Sequence, residues 1–84
     1  MIPRVTAVTP QVGHALLLHF SNGKRRCMSV RPYLDYVVFE RLRDPEFFAL
    51  AQADHGTVSW PGGIDLDPDS VYLESVPLAR GITD

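Results

Sequence analysis

The sequence lacks most of the features by which a small protein declares its chemistry. It has one cysteine, Cys27, among 84 residues. No internal disulfide can form, no thiol cluster is available for a structural zinc, and a reducing compartment is the natural setting. No unbroken apolar run approaches the roughly 20 residues that a membrane span requires. The start, Met1–Val5, has neither a charged leader followed by an apolar stretch nor a small-residue cleavage site. These two absences predict a cytoplasmic protein with no membrane association. The formal net charge is only −2, so the chain as a whole lacks the basic excess of a nucleic-acid binder. Walker, GxGxxG and HExxH patterns are all missing, and no cofactor is implied. What is present is ordinary for a globular chain: 45% hydrophobic and 21% charged residues. At this length there is room for a single domain, 1–84, with one modest core.

Punctuation by Pro, Gly and Asp organises the chain. Ile2–Thr9 reads as a short strand ending at Pro10, suited to a sheet edge. His14–Phe20 is a stronger strand, and Asn22-Gly23 then gives the best short hairpin signal, with Arg25–Val30 as the return strand. A two-residue loop there would fix the register. Phe20 would oppose Arg25, Leu18 would oppose Cys27 and Leu16 would oppose Ser29 on one face; Leu17 would oppose Met28 and Ala15 would oppose Val30 on the other. Both faces would then be partly apolar. One would pack on helices, and the other would be covered by a later segment, a second copy or a partner.

The segment Tyr33–Leu42 gives no clear period. Asp44-Pro45-Glu46 combines an N-cap, a proline at the first helical position and an acid in the first turn, and it predicts a helix over Pro45–Ala53 with Phe47, Leu50 and Ala51 on its apolar face. Gly56–Trp60 is a further strand, Pro61-Gly62 the centre of a type II turn, and Ile64–Leu66 the returning strand. Asp67-Pro68-Asp69 repeats the helix-start device. After Pro77 the tail, 77–84, is expected to fray.

Candidate chemistry is thin. Asp65, Asp67 and Asp69 alternate as in a calcium loop, but Ser70 and Val76 stand where that loop needs Gly and Glu. The better assignment makes Asp67 a cap and Asp69 a first-turn acid, with Asp65 left over. His14 and His19 would project from opposite faces of one strand and cannot share a metal. Cys27 reads as a small buried hydrophobe on the face of Leu18, out of reach of His19, and Trp60 as a core anchor. Lys24, Arg25, Arg26 and Arg31 form a basic cluster that could meet a phosphate backbone or an acidic protein surface. No catalytic residues can be assigned.

Four landmarks in order carry a family resemblance: LLLHFSNGKRR at Leu16–Arg26, VRPYL at Val30–Leu34, VFERLRDPEFFALAQ at Val38–Gln52, and GTVSWPGGIDLDPDSVY at Gly56–Tyr72. Together they resemble the small bacterial family catalogued as domain of unknown function 2442, over about Val5–Leu73. In that family the last landmark commonly reads Trp-Pro, a small residue or Asn, Gly, an apolar residue, Asp, Leu, Asp-Pro. Trp60, Pro61, Gly63, Asp65, Asp67 and Pro68 match it, and Gly62 stands where Asn is frequent. The resemblance implies a compact α+β domain, sometimes alone and sometimes fused to a helix-turn-helix domain. It also implies a gene neighbour of the family catalogued as domain of unknown function 4160, in arrangements like toxin and antitoxin pairs. It supplies no catalytic residues.

These readings predict an α+β domain: a small, mostly antiparallel sheet with an N-terminal hairpin meander and two short helices packed on it. They predict a non-enzymatic protein-interaction module, antitoxin-like, that pairs with a small partner protein or with itself. Its candidate interaction surface is Leu17, Met28, Val30, Lys24, Arg25 and Arg26. The alternative is a nucleic-acid-binding or transcription-associated accessory domain acting through the basic cluster.

Overall fold

Seven strands and two short α-helices make an α+β domain in the computed structural model, which describes residues 2–78. The strands β1 (Val5–Gln11), β2 (Ala15–Phe20) and β3 (Arg25–Ser29) form a meander, and β7 (Val76–Pro77) adds antiparallel to β3, giving the order β1-β2-β3-β7. A second antiparallel sheet contains β4 (Gln52–Asp54), β5 (Thr57–Trp60) and β6 (Ile64–Asp65). Between the sheets run two 3₁₀ segments, Arg31–Tyr33 and Val37–Arg43, and the helix α1 (Pro45–Phe48); α2 (Pro68–Glu74) leads into β7. The meander and the mixed α+β class agree with the sequence reading.

The hairpin register differs from the two-residue expectation. Leu18 pairs with Arg26, Leu17 with Cys27 and Leu16 with Met28. The Gly23 amide donates to the Phe20 carbonyl at 2.9 Å, and the Phe20 amide to the Lys24 carbonyl at 2.9 Å. Only Gly23 of the pair takes a positive φ, +83°. The loop therefore has three residues, a tight turn closed by a left-handed glycine, which is the second common hairpin solution. The Asn22 side chain stabilises it by accepting from the Lys24 amide at 3.0 Å.

This one-residue slip sorts the sheet cleanly. Leu16, Leu18, Phe20 and Met28 all face inward and are buried, as is Val30 just beyond β3. On β1, the register shifts between Val5 and Ala7, so a bulge at Thr6 turns Val5 inward although Ala7 is exposed. Strand β1 continues through Pro10, which pairs with Leu16. It does not end there, because an edge strand tolerates a residue without an N–H.

Against this face pack Leu42 from the second 3₁₀ segment, Phe48 from α1, Val58 and Trp60 from β5, Leu66 from the link after β6, and Val71 from α2. Each fully buried side chain of this size contributes about 1.5–3 kcal/mol relative to exposure. Trp60 is anchored twice. Its ring lies 5.8 Å from that of Phe48, and its Nε1 donates at 2.9 Å to the Phe48 carbonyl, one of the orphan acceptors at a helix end.

The helix expected over Pro45–Ala53 stops at Phe48. Its cap is as predicted, with Asp44 Oδ1 accepting from the Glu46 amide at 3.0 Å. The buried residue is Phe48, while Leu50 remains 50% exposed. Gln52–Asp54 is drawn into β4 by pairing with β5, across a two-residue turn whose centre, His55-Gly56, has φ of +52° and +78°. Two consecutive positive φ values are the type I′ pattern. Histidine is one of the few non-glycine residues that enters this region with some frequency.

Helix α2 starts as expected. Asp67 Oδ2 accepts from the Ser70 amide at 3.0 Å, with Pro68 at the first position. The fraying expected for 77–84 falls mainly on residues outside those described; Pro77 itself pairs with Arg26.

Candidate interaction face

The outer side of the four-stranded sheet is built from the residues that alternate with the core. A row crosses all four strands: Thr9 pairs with Leu17, Leu17 with Cys27, and Cys27 with Val76. At the usual spacing between strands the row is about 15 Å long. Ala7, His19 and Arg25 flank it on one side, and Gln11, Ala15 and Ser29 on the other. Leu17, Cys27, Ala15 and His19 are half-buried; Thr9, Arg25 and Val76 are exposed, Val76 by 55%. Both helices and β5 direct their buried side chains at the opposite face.

Of the surface residues expected from the sequence, Leu17 and Arg25 lie on this face and Lys24 lies at its rim in the turn. Met28 and Val30 do not belong to it: they are 4% and 0% exposed in the core. The cause is the register slip, which moves each residue of β3 to the other side relative to β2. Cys27 is corrected in the same way, pairing with Leu17 on the outer face and not sharing the face of Leu18.

Arg26 is also not a free cation. Opposite Leu18 on the inner side, its Nε donates to Ser75 Oγ at 2.7 Å and its terminal nitrogen to the Ser75 carbonyl at 2.6 Å. The guanidinium stacks 4.7 Å from the centre of the Tyr72 ring, and that ring meets Phe20 edge-on at 5.0 Å. Arg26 thereby clamps the end of α2 to β3. Arg31 is engaged too, donating from Nε to the Gly13 carbonyl at 3.1 Å.

The strand argument for the histidines also changes. His14 precedes β2 with φ of +60°, and its Nε2 lies 3.2 Å from the Arg43 carbonyl. The Trp60–Pro68 landmark is structural. Gly62 and Gly63 take φ of +89° and +79°, Pro61 is exposed in the turn, Asp67 caps α2, and Asp65 is exposed on β6 opposite Ser59.

Among the described residues, no three His, Cys, Asp or Glu converge as metal ligands, and no helix is long and apolar enough to cross a membrane. A groove of about 340 Å³ between the β1–β2 turn and α1 is lined mainly by Pro10, Val12, Pro45 and Phe48, with His14 its one titratable side chain. Tyr33 is the group with a clearly displaced titration: burial, then its hydrogen bond to the Glu74 carboxylate, push its pKa up to about 12. That bond joins the first 3₁₀ segment to α2.

Thr9, Val76 and Ala7 were not singled out from the sequence as surface residues, and His19 was weighed only as a metal ligand or a partner of Cys27. The alternation of Thr9 with Val8 pointed to them; the pairing of Val76 did not, since it requires the chain to return from α2 to β3.

The fold and this face define a small α+β domain with a meander sheet that packs on the core with one side and, among the described residues, is uncovered on the other. The chain belongs to the family described as protein of unknown function (DUF2442), whose model matches residues 5–77. No curated protein and no solved structure matches the chain.

Proposed function

We propose that the domain is a non-enzymatic protein-interaction module that binds a small partner protein through the outer face of its four-stranded sheet, as the antitoxin-like member of a two-gene pair. The row Thr9–Leu17–Cys27–Val76 carries this reading. It places Leu17, Cys27 and Val76 side by side, with Ala7 and Ala15 nearby, on the side away from the core, where exposed apolar area marks association sites. Family membership fits the reading, through the gene-pair arrangement that the resemblance implies. Nucleic-acid binding has less support. With Arg26 and Arg31 engaged, Lys24 and Arg25 offer about two phosphate contacts, a weak footprint.

The test is co-expression with the product of the adjacent gene, followed by size-exclusion chromatography with light scattering. A stoichiometric complex that is lost in Leu17→Glu is expected. A monomer that forms no complex, or a complex indifferent to Leu17→Glu, would refute the proposal.

A further inference from the structure

The net charge of −2 conceals a sharp segregation. Residues 1–34 contain five basic side chains, Arg4, Lys24, Arg25, Arg26 and Arg31, and no Asp or Glu; the first carboxylate is Asp35. All ten carboxylates lie in the remaining 50 residues, against three arginines. The topology turns this sequence asymmetry into a spatial one. Strands β1, β2, β3 and β7 carry no acid, whereas Glu40, Glu46, Asp54, Asp65, Asp69 and Glu74 sit on the 3₁₀ segment, the helices and the small sheet.

We infer that the partner docking on the open face presents an apolar centre rimmed by carboxylates: the Thr9–Leu17–Cys27–Val76 row takes the centre, and Arg25 with Lys24 takes the rim. This rests on the interaction reading above and names the chemistry of the partner. Arg25 is exposed beside the row, opposite His19, and Lys24 is exposed at the turn. Among the described residues no carboxylate lies on the face to neutralise them, so an acidic rim is attracted and a basic one repelled.

A second copy fits less well. Face to face, two copies would bring Arg25 rims together. Head to tail, the face would meet the layer that carries Glu40, Glu46, Asp65 and Asp69, but such a contact is heterologous and gives rings or open filaments, not the closed pair that a two-component complex requires. A nucleic acid fits less well again, because the centre of the face is aliphatic and has no aromatic platform for bases.

The experiment places a photo-reactive benzoylphenylalanine at Thr9, at Leu17 and, on the opposite layer, at Asp69, in the full chain expressed in its own cells. Circular dichroism confirms the fold of each; Thr9, exposed on an edge strand, serves if the Leu17 derivative is unstable. The expected result is a protein adduct from Thr9 and Leu17 but not Asp69, mapped to a peptide with Asp or Glu beside apolar residues. Its yield should fall about tenfold in Arg25→Glu and at high salt. An adduct at the face whose mapped peptide lacks carboxylates, or whose yield ignores Arg25→Glu and salt, overturns the acidic-rim inference and leaves the interaction face standing. An adduct to a second copy or to nucleic acid overturns it as well. Adducts from Asp69 alone, or from no position, overturn the interaction reading itself.

Discussion

Replacing Leu17 and Leu18 separately by alanine tests the register on which the assignment of the face depends. The two residues are adjacent and chemically identical, and they differ only in the side of the sheet they occupy. Leu18 is fully buried, so Leu18→Ala leaves a cavity and should cost about 2–5 kcal/mol. A domain of this size has a total stability of about 4–13 kcal/mol. Leu17 is half-buried on the open face, where neighbours and water can close on the gap, and Leu17→Ala should cost less than about 1 kcal/mol. With a urea m-value near 1 kcal/mol/M, the Leu18 variant should lose about 2–5 M in its midpoint, or unfold outright, while the Leu17 variant moves by less than about 1 M. Circular dichroism during urea titration reads both, and an unchanged slope confirms that native stability is what changed. The two-residue turn would instead place Leu17 and Met28 on one face. Equal costs, or a larger cost for Leu17, would therefore refute the assignment of the open face. Met28 is buried beside Leu16, so Met28→Ala should cost about as much as Leu18→Ala; a cost as small as that of Leu17→Ala would refute the three-residue register.

Other substitutions report on the joints between elements. Arg26→Met keeps the stem but removes both donors to Ser75, a residue only 2% exposed. It should cost about 1–3 kcal/mol, seen in thermal unfolding and in faster hydrogen exchange across α2. Gly56→Ala is strained twice, by φ of +78° and by a Cβ that would lie 2.8 Å from the Arg4 guanidinium. A loss of about 1–2 kcal/mol should be only partly restored by adding Arg4→Ala, since the backbone term remains. Asp67→Ala should cost about 1 kcal/mol through the lost cap, and Asp67→Asn much less. For Tyr33, the folded pKa of about 12 lies above the ordinary 10.0, so the unfolded chain gives up this proton first. The contribution is complete below about pH 10 and is lost as pH rises toward about 12. Denaturant titrations across that interval should show a falling stability whose slope is reduced in Tyr33→Phe.

Much of the architecture was legible from local chemistry. Asp44-Pro45 and Asp67-Pro68 start helices where expected because an N-cap carboxylate and a first-turn proline act within four residues, whatever surrounds them. Gly62 takes the positive φ expected of it for the same reason. The length of α1 was not legible. Residues Gln52–Asp54 suit a helix locally, but the ladder with β5 and the His55-Gly56 turn claim them. Nor was the turn at Asn22-Gly23, since the same dipeptide serves two- and three-residue loops and local preference between them is small. The core decides. Only the three-residue register places Leu16, Leu18, Phe20 and Met28 on one side together.

The sequence by itself determined the α+β class, the helix starts, the positive φ of Gly62 and the segregation of charge along the chain, because each depends on residues close in sequence. Which residues face outward, and that Arg26 is a clamp while Arg25 is exposed, was decided by tertiary structure. A one-residue change in register inverts every side chain of a strand, and the energy that selects the register is the burial of side chains drawn from seven separate elements.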